Sequence, residues 1–316
     1  MNVWGVTKYN ASLVTDELRE AGFEEPIETE LEFDKWYGVN IKEINPDNLN
    51  SYKFNAFEGE EGGFYEKGFV LSTTLNDNEI FGIKGNNKIT GGLTTDIIET
   101  YQGDDYIESG KGNDIIRAGA GDDYIDGGEH ELEYEYAKEW VYGGKYPMLG
   151  DTIAFDNFRV DRKTPNDGVE VNLEEGYIKG EGNDTITGVE NVIGSNYKDD
   201  ITGNSDNNII LSGDYSDVIR GREGDDELYG ESGNDIISGN EGNDFIYGGE
   251  GSDTIDFDEA KNGINIQLQT EEANELGKDE GKSWGEGEDY IYEIENIKGS
   301  KYNDLISGNK ENNIID

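Results

Sequence analysis

The sequence contains no cysteine and only one histidine, His130, among its 316 residues. Disulfide bonds and thiolate metal sites therefore cannot stabilise the chain. Basic residues are also scarce, since 25 Lys and Arg stand against 72 Asp and Glu and give a formal net charge of −47. This acidic excess excludes nucleic acids and anionic membranes as electrostatically favoured partners.

Long apolar stretches are missing as well, so we expect no insertion into a membrane. The opening residues MNVWGVTKYN lack a basic segment followed by an apolar run, and we expect no secretory signal peptide there. Only 33% of the residues are hydrophobic. Because low hydrophobicity with high net charge is typical of disordered chains, something other than a large apolar core must hold this chain together.

Glycine, by contrast, is abundant at 45 residues, and it occurs in a nine-residue repeat. The segments GGLTTDIIE, TYQGDDYIE, SGKGNDIIR and AGAGDDYID align end to end from residue 91, and GREGDDELY, GESGNDIIS and GNEGNDFIY repeat the pattern later. Asn87 and Asn208 hold the same register at the start of the two blocks. The aspartates spaced nine residues apart are Asp96, Asp105, Asp114 and Asp123, then Asp217, Asp226, Asp235, Asp244 and Asp253.

Each nine-residue unit predicts one tight turn and one short strand. Glycine allows the turn, and the three residues after each Asp alternate around an aliphatic centre such as Ile98 or Ile107. Two units would close one coil of a flattened parallel solenoid. We expect the outward side chains of the strands to stack on one another: Ile97, Tyr106, Ile115, Tyr124, Val218, Ile236 and Phe245.

The spacing also creates an electrostatic problem. Aspartates eighteen residues apart would stack at about 4.8 Å, the distance between neighbouring strands. Two carboxylates at that distance repel by roughly 3.5 kcal/mol at an effective dielectric constant of 20. A divalent cation reverses the sign of this energy, and calcium accepts carboxylate and main-chain carbonyl oxygens. The alternative is a metal-free solenoid in which Asp, Asn and Gly only form turns.

Segments such as GAGDDYIDG and GNEGNDFIYGG resemble the GGxGxDxUx nonapeptide of the RTX (hemolysin-type calcium-binding) repeat family, over roughly residues 80 to 316. The resemblance implies an all-β fold, a parallel β-roll in two or three blocks, with several calcium ions between turns. It also implies type I secretion and folding outside the cell. Carried over by position, it makes the nine aspartates named above calcium ligands. Asn87 and Asn208 stand where the family has Asp, so we expect weak or no binding there.

A longer repeat begins at Asp151 and again at Asp253. Both copies contain an alternating strand (GVEVNL or GINIQL), a turn at an aspartate, and then ENVIGS or ENIKGS. They resemble a linking module of RTX proteins, and we expect further calcium ligands at Asp184, Asp200, Asp289 and Asp304. The step from Asp200 to Asn208 is eight residues rather than nine, so a register correction is expected there.

The repeats suggest five segments. Residues 1–79 form a small α+β N-terminal module that is either a cap or a binding domain. Residues 80–126 are the first β-roll block, 127–199 an insertion with a linking module, 200–256 the second block, and 257–316 a second linking module with the start of a third block. The insertion is either a flap or a ligand contact through Tyr134, Tyr136, Trp140 and Tyr142.

Catalytic motifs are missing: neither HExxH nor GxSxG occurs, and we expect no role for His130 and no enzyme activity. We expect a calcium-binding region of a secreted or cell-surface protein, part of an adhesin or S-layer-like protein. The alternatives are the non-catalytic C-terminal region of a secreted hydrolase or toxin, and a carbohydrate- or peptide-binding module. Calcium is the expected partner, with a cell-surface glycan or protein as a further candidate.

Overall fold

The computed structural model of the protein describes residues 2–4, 38–40, 52–55, 70–72, 78–82, 85–93, 95–128, 150–156, 168–180, 182–268, 281–310 and 312–316. The regular elements in these ranges are all β-strands, so the all-β expectation is confirmed. The described residues contain no helix of the length and apolar character needed to cross a lipid bilayer.

Most strands are three or four residues long, as the nine-residue units predict. They are β1 Asn2–Trp4, β2 Gly38–Asn40, β3 Tyr52–Asn55, β4 Val70–Ser72, β5 Asn78–Phe81, β6 Lys88–Thr90, β7 Asp96–Glu99, β8 Tyr106–Glu108, β9 Ile115–Arg117, β10 Tyr124–Asp126, β11 Thr152–Ala154, β12 Glu170–Asn172, β13 Tyr177–Lys179, β14 Asn183–Thr187, β15 Asn191–Ile193, β16 Asp200–Thr202, β17 Ile209–Leu211, β18 Val218–Glu223, β19 Glu227–Gly233, β20 Ile236–Glu241, β21 Phe245–Gly251, β22 Thr254–Asp256, β23 Asn265–Gln267, β24 Gly281–Trp284, β25 Glu288–Tyr292, β26 Asn296–Lys298 and β27 Leu305–Ser307.

The chain folds as two compact units. Unit 1 comprises residues 1–152 and 182–189. Its strands alternate between two sheets, so that every second strand along the chain pairs with the one before it. The strand orders are β2-β1-β4-β6-β8-β10-β14 and β9-β7-β5-β3. From β4 and β3 onwards the pairs are parallel, which is the arrangement of a two-sided β-roll.

Unit 2 comprises residues 153–181 and 190–316 and repeats this architecture. Its strand orders are β13-β12-β16-β18-β20-β22-β26 and β27-β23-β24-β25-β21-β19-β17-β15. The register advances by eighteen residues per coil, as in the pairs Ile219 with Ile237 and Leu228 with Ile246. The parallel β-roll predicted from the repeats is thus confirmed.

The core of each unit is a column of aliphatic side chains, one from most of the short strands and two from strands such as β17. The expected centres Ile98, Ile107, Ile219 and Leu228 are all fully buried. Because the strands on the two sides face each other, these residues form a dry interior that is only one side chain deep from each sheet. Such a core is small, and the turns must therefore contribute to stability.

Antiparallel hairpins are additions that the nonapeptide pattern did not predict. In the first linking module β12 pairs antiparallel with β13, and in the second β23 pairs antiparallel with β24. Each hairpin strand also lies beside a parallel neighbour, since β12 pairs with β16 and β23 with β27. The alternating segments GVEVNL and GINIQL therefore join the roll as ordinary strands of its sheets.

The outer faces carry the stacked side chains that alternation predicts. The rings of Tyr106 and Tyr124 stack with centroids 4.8 Å apart, and the Lys88 ammonium lies 4.4 Å from the Tyr106 ring. Phe245 packs against Tyr292 with centroids 5.0 Å apart. The stacking expectation is confirmed for these residues.

Candidate metal centre

The turn aspartates are joined by hydrogen bonds that run from coil to coil. The main-chain N–H of Asp199 donates to Asp217 Oδ1 at 2.7 Å, and that of Asp217 donates to Asp235 Oδ1 at 2.8 Å. The parallel register brings residues eighteen apart into this contact. One carboxylate oxygen of each aspartate is thereby used to satisfy the main chain, and the other is left for a different partner.

These contacts form two ladders in each unit. In unit 1 the first ladder is Asp96, Asp114 and Asp151, and the second is Asn87, Asp105, Asp123 and Asp184. In unit 2 the third ladder is Asp199, Asp217, Asp235, Asp253 and Glu295, and the fourth is Asn208, Asp226, Asp244 and Asp289. All of their Asp and Asn residues are buried.

The second carboxylate oxygen is the unusual feature of the ladders. In five aspartates Oδ2 is buried and has no hydrogen-bond partner in the described part of the chain: Asp123, Asp226, Asp235, Asp244 and Asp253. Oδ2 is likewise without a hydrogen bond in three more, which have a Ser or Thr hydroxyl nearby: Asp105, Asp114 and Asp217. A buried carboxylate oxygen without a donor costs several kcal/mol, roughly, unless a cation or a proton neutralises it.

The pKa values of these carboxyl groups reflect the same energetic cost of burying a charge. Burial raises the pKa of Asp123, Asp217 and Asp244 from the ordinary value of 3.8 to about 8, and neighbouring carboxylates add to the shift. Burial also raises the pKa of Asp226 and Asp235 to about 7. Carboxyl groups with such pKa values are only partly ionised near neutral pH, because burial disfavours the charged form.

Glycines keep the space beside these oxygens open. A Cβ atom placed on Gly230 would lie 2.5 Å from Asp235 Oδ2 and 2.6 Å from the Gly248 carbonyl oxygen. The same relation holds at Gly221, where the missing Cβ faces Asp226 Oδ2 and the Gly239 carbonyl. Only glycine leaves a carboxylate oxygen and a carbonyl oxygen of the next coil facing one common space.

Calcium fits this donor set. No group of three or more His, Cys, Asp or Glu side chains converges on one point within the described ranges. An ion here would therefore bind one or two carboxylates and complete its coordination with main-chain carbonyls, which calcium accepts readily among its 6–8 oxygen ligands. In the second block these ligands would be Oδ2 of Asp226, Asp235 and Asp244 with carbonyls such as those of Gly239 and Gly248.

Two of the module aspartates predicted from the sequence extend the ladders. Asp184 accepts the main-chain N–H of Asp123 at 3.0 Å, and Asp289 accepts that of Asp244 at 3.1 Å. Asp289 also accepts a hydrogen bond from the Ser283 hydroxyl. Both of its oxygens are thus used within the protein. In Asp96, Oδ2 accepts the Gly92 N–H.

Asp200 does not lie in a ladder. It is exposed and pairs with Arg220 at 2.6 Å, while the preceding residue, Asp199, occupies the ladder position nine residues before Asn208. This one-residue difference is the register correction that the eight-residue step indicated. Asp304 accepts the main-chain N–H of Ile264 and lies in the position equivalent to Asp199.

Three ladder residues were missed by sequence reasoning: Asp151, Asp199 and Glu295. The alignment of the two long repeats contained a signal for Asp151, because Asp151 and Asp253 begin equivalent segments. Asp199 is found by counting back nine residues from Asn208. Glu295 is found in the same way, nine residues before Asp304, although Glu stands there in place of Asp. Among the other expectations, His130 and the aromatic residues Tyr134, Tyr136, Trp140 and Tyr142 fall outside the described residues, as does most of 1–79.

A parallel β-roll whose glycine turns hold stacked, buried carboxylates defines a class of cation-binding solenoids. Comparison with protein families finds the RTX calcium-binding nonapeptide repeat at residues 72–107, 99–129, 202–237, 211–245, 229–260 and 293–316. These segments of the chain are RTX calcium-binding nonapeptide repeats. RTX nonapeptide repeats bind calcium ions, and they are characteristic of proteins secreted by type I systems. RTX repeat domains are generally non-catalytic structural regions. None of the curated proteins compared with the chain matches it.

Proposed function

We propose that this chain is the calcium-binding region of a secreted or cell-surface protein, and that calcium converts it from a disordered to an ordered chain outside the cell. The observation that carries the proposal is the row of buried Oδ2 atoms in the turns that have no hydrogen-bond donor among the residues described. In Asp226, Asp235 and Asp253 this atom faces a carbonyl oxygen across a space kept open by glycine.

Charge makes the ordering depend on calcium. Stacked carboxylates repel by roughly 3.5 kcal/mol per neighbouring pair at a dielectric constant of 20. Most of the short strands described contribute one aliphatic side chain to the core. Extracellular calcium modules bind with dissociation constants of about 10⁻⁴ to 10⁻³ M, so one site alone contributes little. Because neighbouring sites share ladder residues, their occupation is coupled and the transition becomes steep.

Within the parent protein, we propose a structural role in an adhesin or S-layer-like assembly. The repeated coils, the narrow core and the formal net charge of −47 suit a solvated spacer at the cell surface. Attachment to a glycan or protein ligand is part of this proposal.

A calcium titration of the whole chain followed by far-UV circular dichroism tests the proposal, with magnesium as the matched control ion. We expect a cooperative transition from coil to β-structure near millimolar calcium and none with magnesium, which binds reluctantly to carbonyl-rich sites. A chain that is fully β-structured in the presence of a chelator would contradict it.

A further inference from the structure

In one coil of unit 2, hydrogen bonds within the protein satisfy the polar side chains of the turns without a metal. We define the starter coil as residues 190–213, which follow the first hairpin and include the start of the second block; in this subsection the second block means its remaining coils, residues 214–256. Asn208, which is 1% exposed, takes the place of a ladder aspartate at one of its turns. Its amide nitrogen donates to the Glu190 carbonyl at 2.8 Å and to Asn204 Oδ1 at 2.9 Å. Its Oδ1 accepts the Asn204 N–H at 2.8 Å.

At the opposite turn of the starter coil, a carboxylate accepts hydrogen bonds at both of its oxygens. Asp199 Oδ2 accepts the main-chain N–H of Ser195 at 2.6 Å, and Oδ1 accepts the Ser195 hydroxyl at 2.8 Å and the Val169 N–H at 2.7 Å. Both carboxylate oxygens therefore have donors. This differs from Asp217 in the next coil, whose buried Oδ2 has no hydrogen-bond partner within the described residues.

The same arrangement occurs a second time, in residues 295–316. The Asn313 amide nitrogen donates to the Glu295 carbonyl at 2.7 Å and to Asn309 Oδ1 at 2.7 Å. Asp304 accepts the N–H of Ser300 at 2.8 Å and its hydroxyl at 2.6 Å. Although burial acts to raise the pKa of Asp304, its bonds from Ser300 and Ile264 hold that pKa below the ordinary value. Two independent copies thus place amide and hydroxyl donors at the ladder positions.

The starter coil also aligns the first aspartates of the second block. Its Asp199 N–H donates to Asp217 Oδ1 at 2.7 Å, and its Asn208 N–H donates to Asp226 Oδ1 at 2.8 Å. A starter coil that is already ordered would present both N–H groups at the correct spacing before any calcium arrives. Aligning the next coil would then cost less conformational entropy.

We infer that the starter coil orders without calcium and serves as the template on which the calcium-dependent second block assembles. This inference rests on the proposed calcium-dependent folding of that block. It assigns Asn208 and the Ser195–Asp199 pair a positive role, in which protein donors replace the cation. Asn208 is then not a weakened calcium ligand.

Amide hydrogen exchange of the whole chain, read by mass spectrometry, tests the inference. In chelator, we expect amides of residues 195–212 to exchange at least about tenfold more slowly than those of residues 226–243, because their turns keep donated hydrogen bonds. Residues 226–243 should gain protection only when calcium is added. Equal exchange of the two segments in chelator, followed by protection of both at the same calcium concentration, would overturn the inference. If calcium protects neither segment, the proposed calcium-dependent folding itself fails.

The variant Asn208→Asp should shift the calcium midpoint in opposite directions, depending on whether Asn208 is an amide donor or a degenerate calcium ligand. If Asn208 acts as an amide donor, the new carboxylate faces the Glu190 carbonyl, and the calcium midpoint for residues 226–243 should rise by about tenfold. If Asn208 is a degenerate ligand, the variant restores a calcium site and the midpoint falls, which would refute the inference, as would an unchanged midpoint. Asn207→Asp is the matched control, because it adds the same charge at the neighbouring exposed position and keeps the acceptor for the Asp225 N–H.

Discussion

The main-chain N–H of Asp114 donates a hydrogen bond of 2.7 Å to Oδ1 of Asp151, across 37 residues instead of the 18 that separate Asp96 from Asp114. The first ladder therefore continues although the nine-residue repeat is interrupted in the sequence. The second ladder does the same, since Asp123 and Asp184 are 61 residues apart. Continuity of the ladder, and not of the sequence repeat, defines a block.

Removing one interior ladder charge should weaken the calcium response. We expect Asp235→Asn to raise the calcium midpoint several-fold, because Oδ2 of Asp235 is lost as an anionic ligand. In chelator the same variant should be slightly more ordered than the wild type, since one buried charge with a pKa raised to about 7 is removed. Circular dichroism during a calcium titration measures both effects.

Asp200→Asn is the matched control for that variant. It removes the same charge from an exposed residue that lies outside the ladders and pairs with Arg220. Its effect should be small, since exposed ion pairs contribute about 0–1 kcal/mol. A shift of the midpoint by Asp200→Asn as large as that of Asp235→Asn would argue against the ladder assignment.

Acidification should partly replace calcium. Burial raises the pKa of Asp114, Asp123, Asp217 and Asp244 to about 8 in the folded chain, against 3.8 ordinarily. Between these pH values the folded chain binds more protons than the unfolded chain, so its stability without calcium rises as pH falls. We expect more β-structure in chelator at about pH 5 than at about pH 8.5.

With calcium present the pH effect should reverse, because protons compete with calcium for the same carboxylates. The calcium midpoint should therefore rise as the pH is lowered. Titrations at two pH values, followed by circular dichroism, measure this. Loss of β-structure on mild acidification in chelator would show that the ladder carboxylates are not the groups opposing folding.

The turn glycines should be intolerant of a side chain. Gly242 has φ of 144°, and a Cβ atom there would overlap the Gly224 carbonyl oxygen. We expect Gly242→Ala to cost about 1–3 kcal/mol or more in calcium-saturated unfolding by urea. Glu223→Ala is the control, because Glu223 is an exposed residue at the end of β18 in the adjacent coil. Equal stability of the two variants would contradict the close approach of the coils.

The outer aromatic stack should affect stability alone. Tyr124→Ala removes the partner of Tyr106 and should lower the free energy of unfolding by about 1–2 kcal/mol. Tyr124→Phe keeps the ring and should be close to wild type. Since neither residue lies in a turn, isothermal titration should find the same number of calcium ions bound. A changed stoichiometry would connect the outer face to the metal sites.

The repeating part of the fold was predictable because its sequence and its structure share one period. Nine residues per unit gave the parallel β-roll and its buried column, including Ile98 and Ile219. The period likewise placed Asp217, Asp226 and the other block aspartates in stacked positions. Local spacing was sufficient because each coil contacts only the coils beside it.

The linking modules were less predictable, because contacts across many residues set their register. The prediction of Asp200 overlooked that Asp199 is the residue nine before Asn208; Asp199 is also the one that accepts the Val169 N–H, thirty residues away. Glu295 accepts the Asp253 N–H across 42 residues, instead of the 18 of an ordinary coil. The antiparallel hairpins were missed because their strands show the same alternation of apolar and polar residues as parallel strands.

The coil-to-coil hydrogen bonds of the ladders all point the same way along the chain. In each interior step the N–H belongs to the earlier residue and the carboxylate to the later one, as in Asp105 with Asp123 and Asp226 with Asp244. A ladder therefore has polarity. When coils are added in the order of the sequence, each new carboxylate meets an N–H that is already fixed. A block can grow in that direction by simple addition, without rearranging the coils that came before.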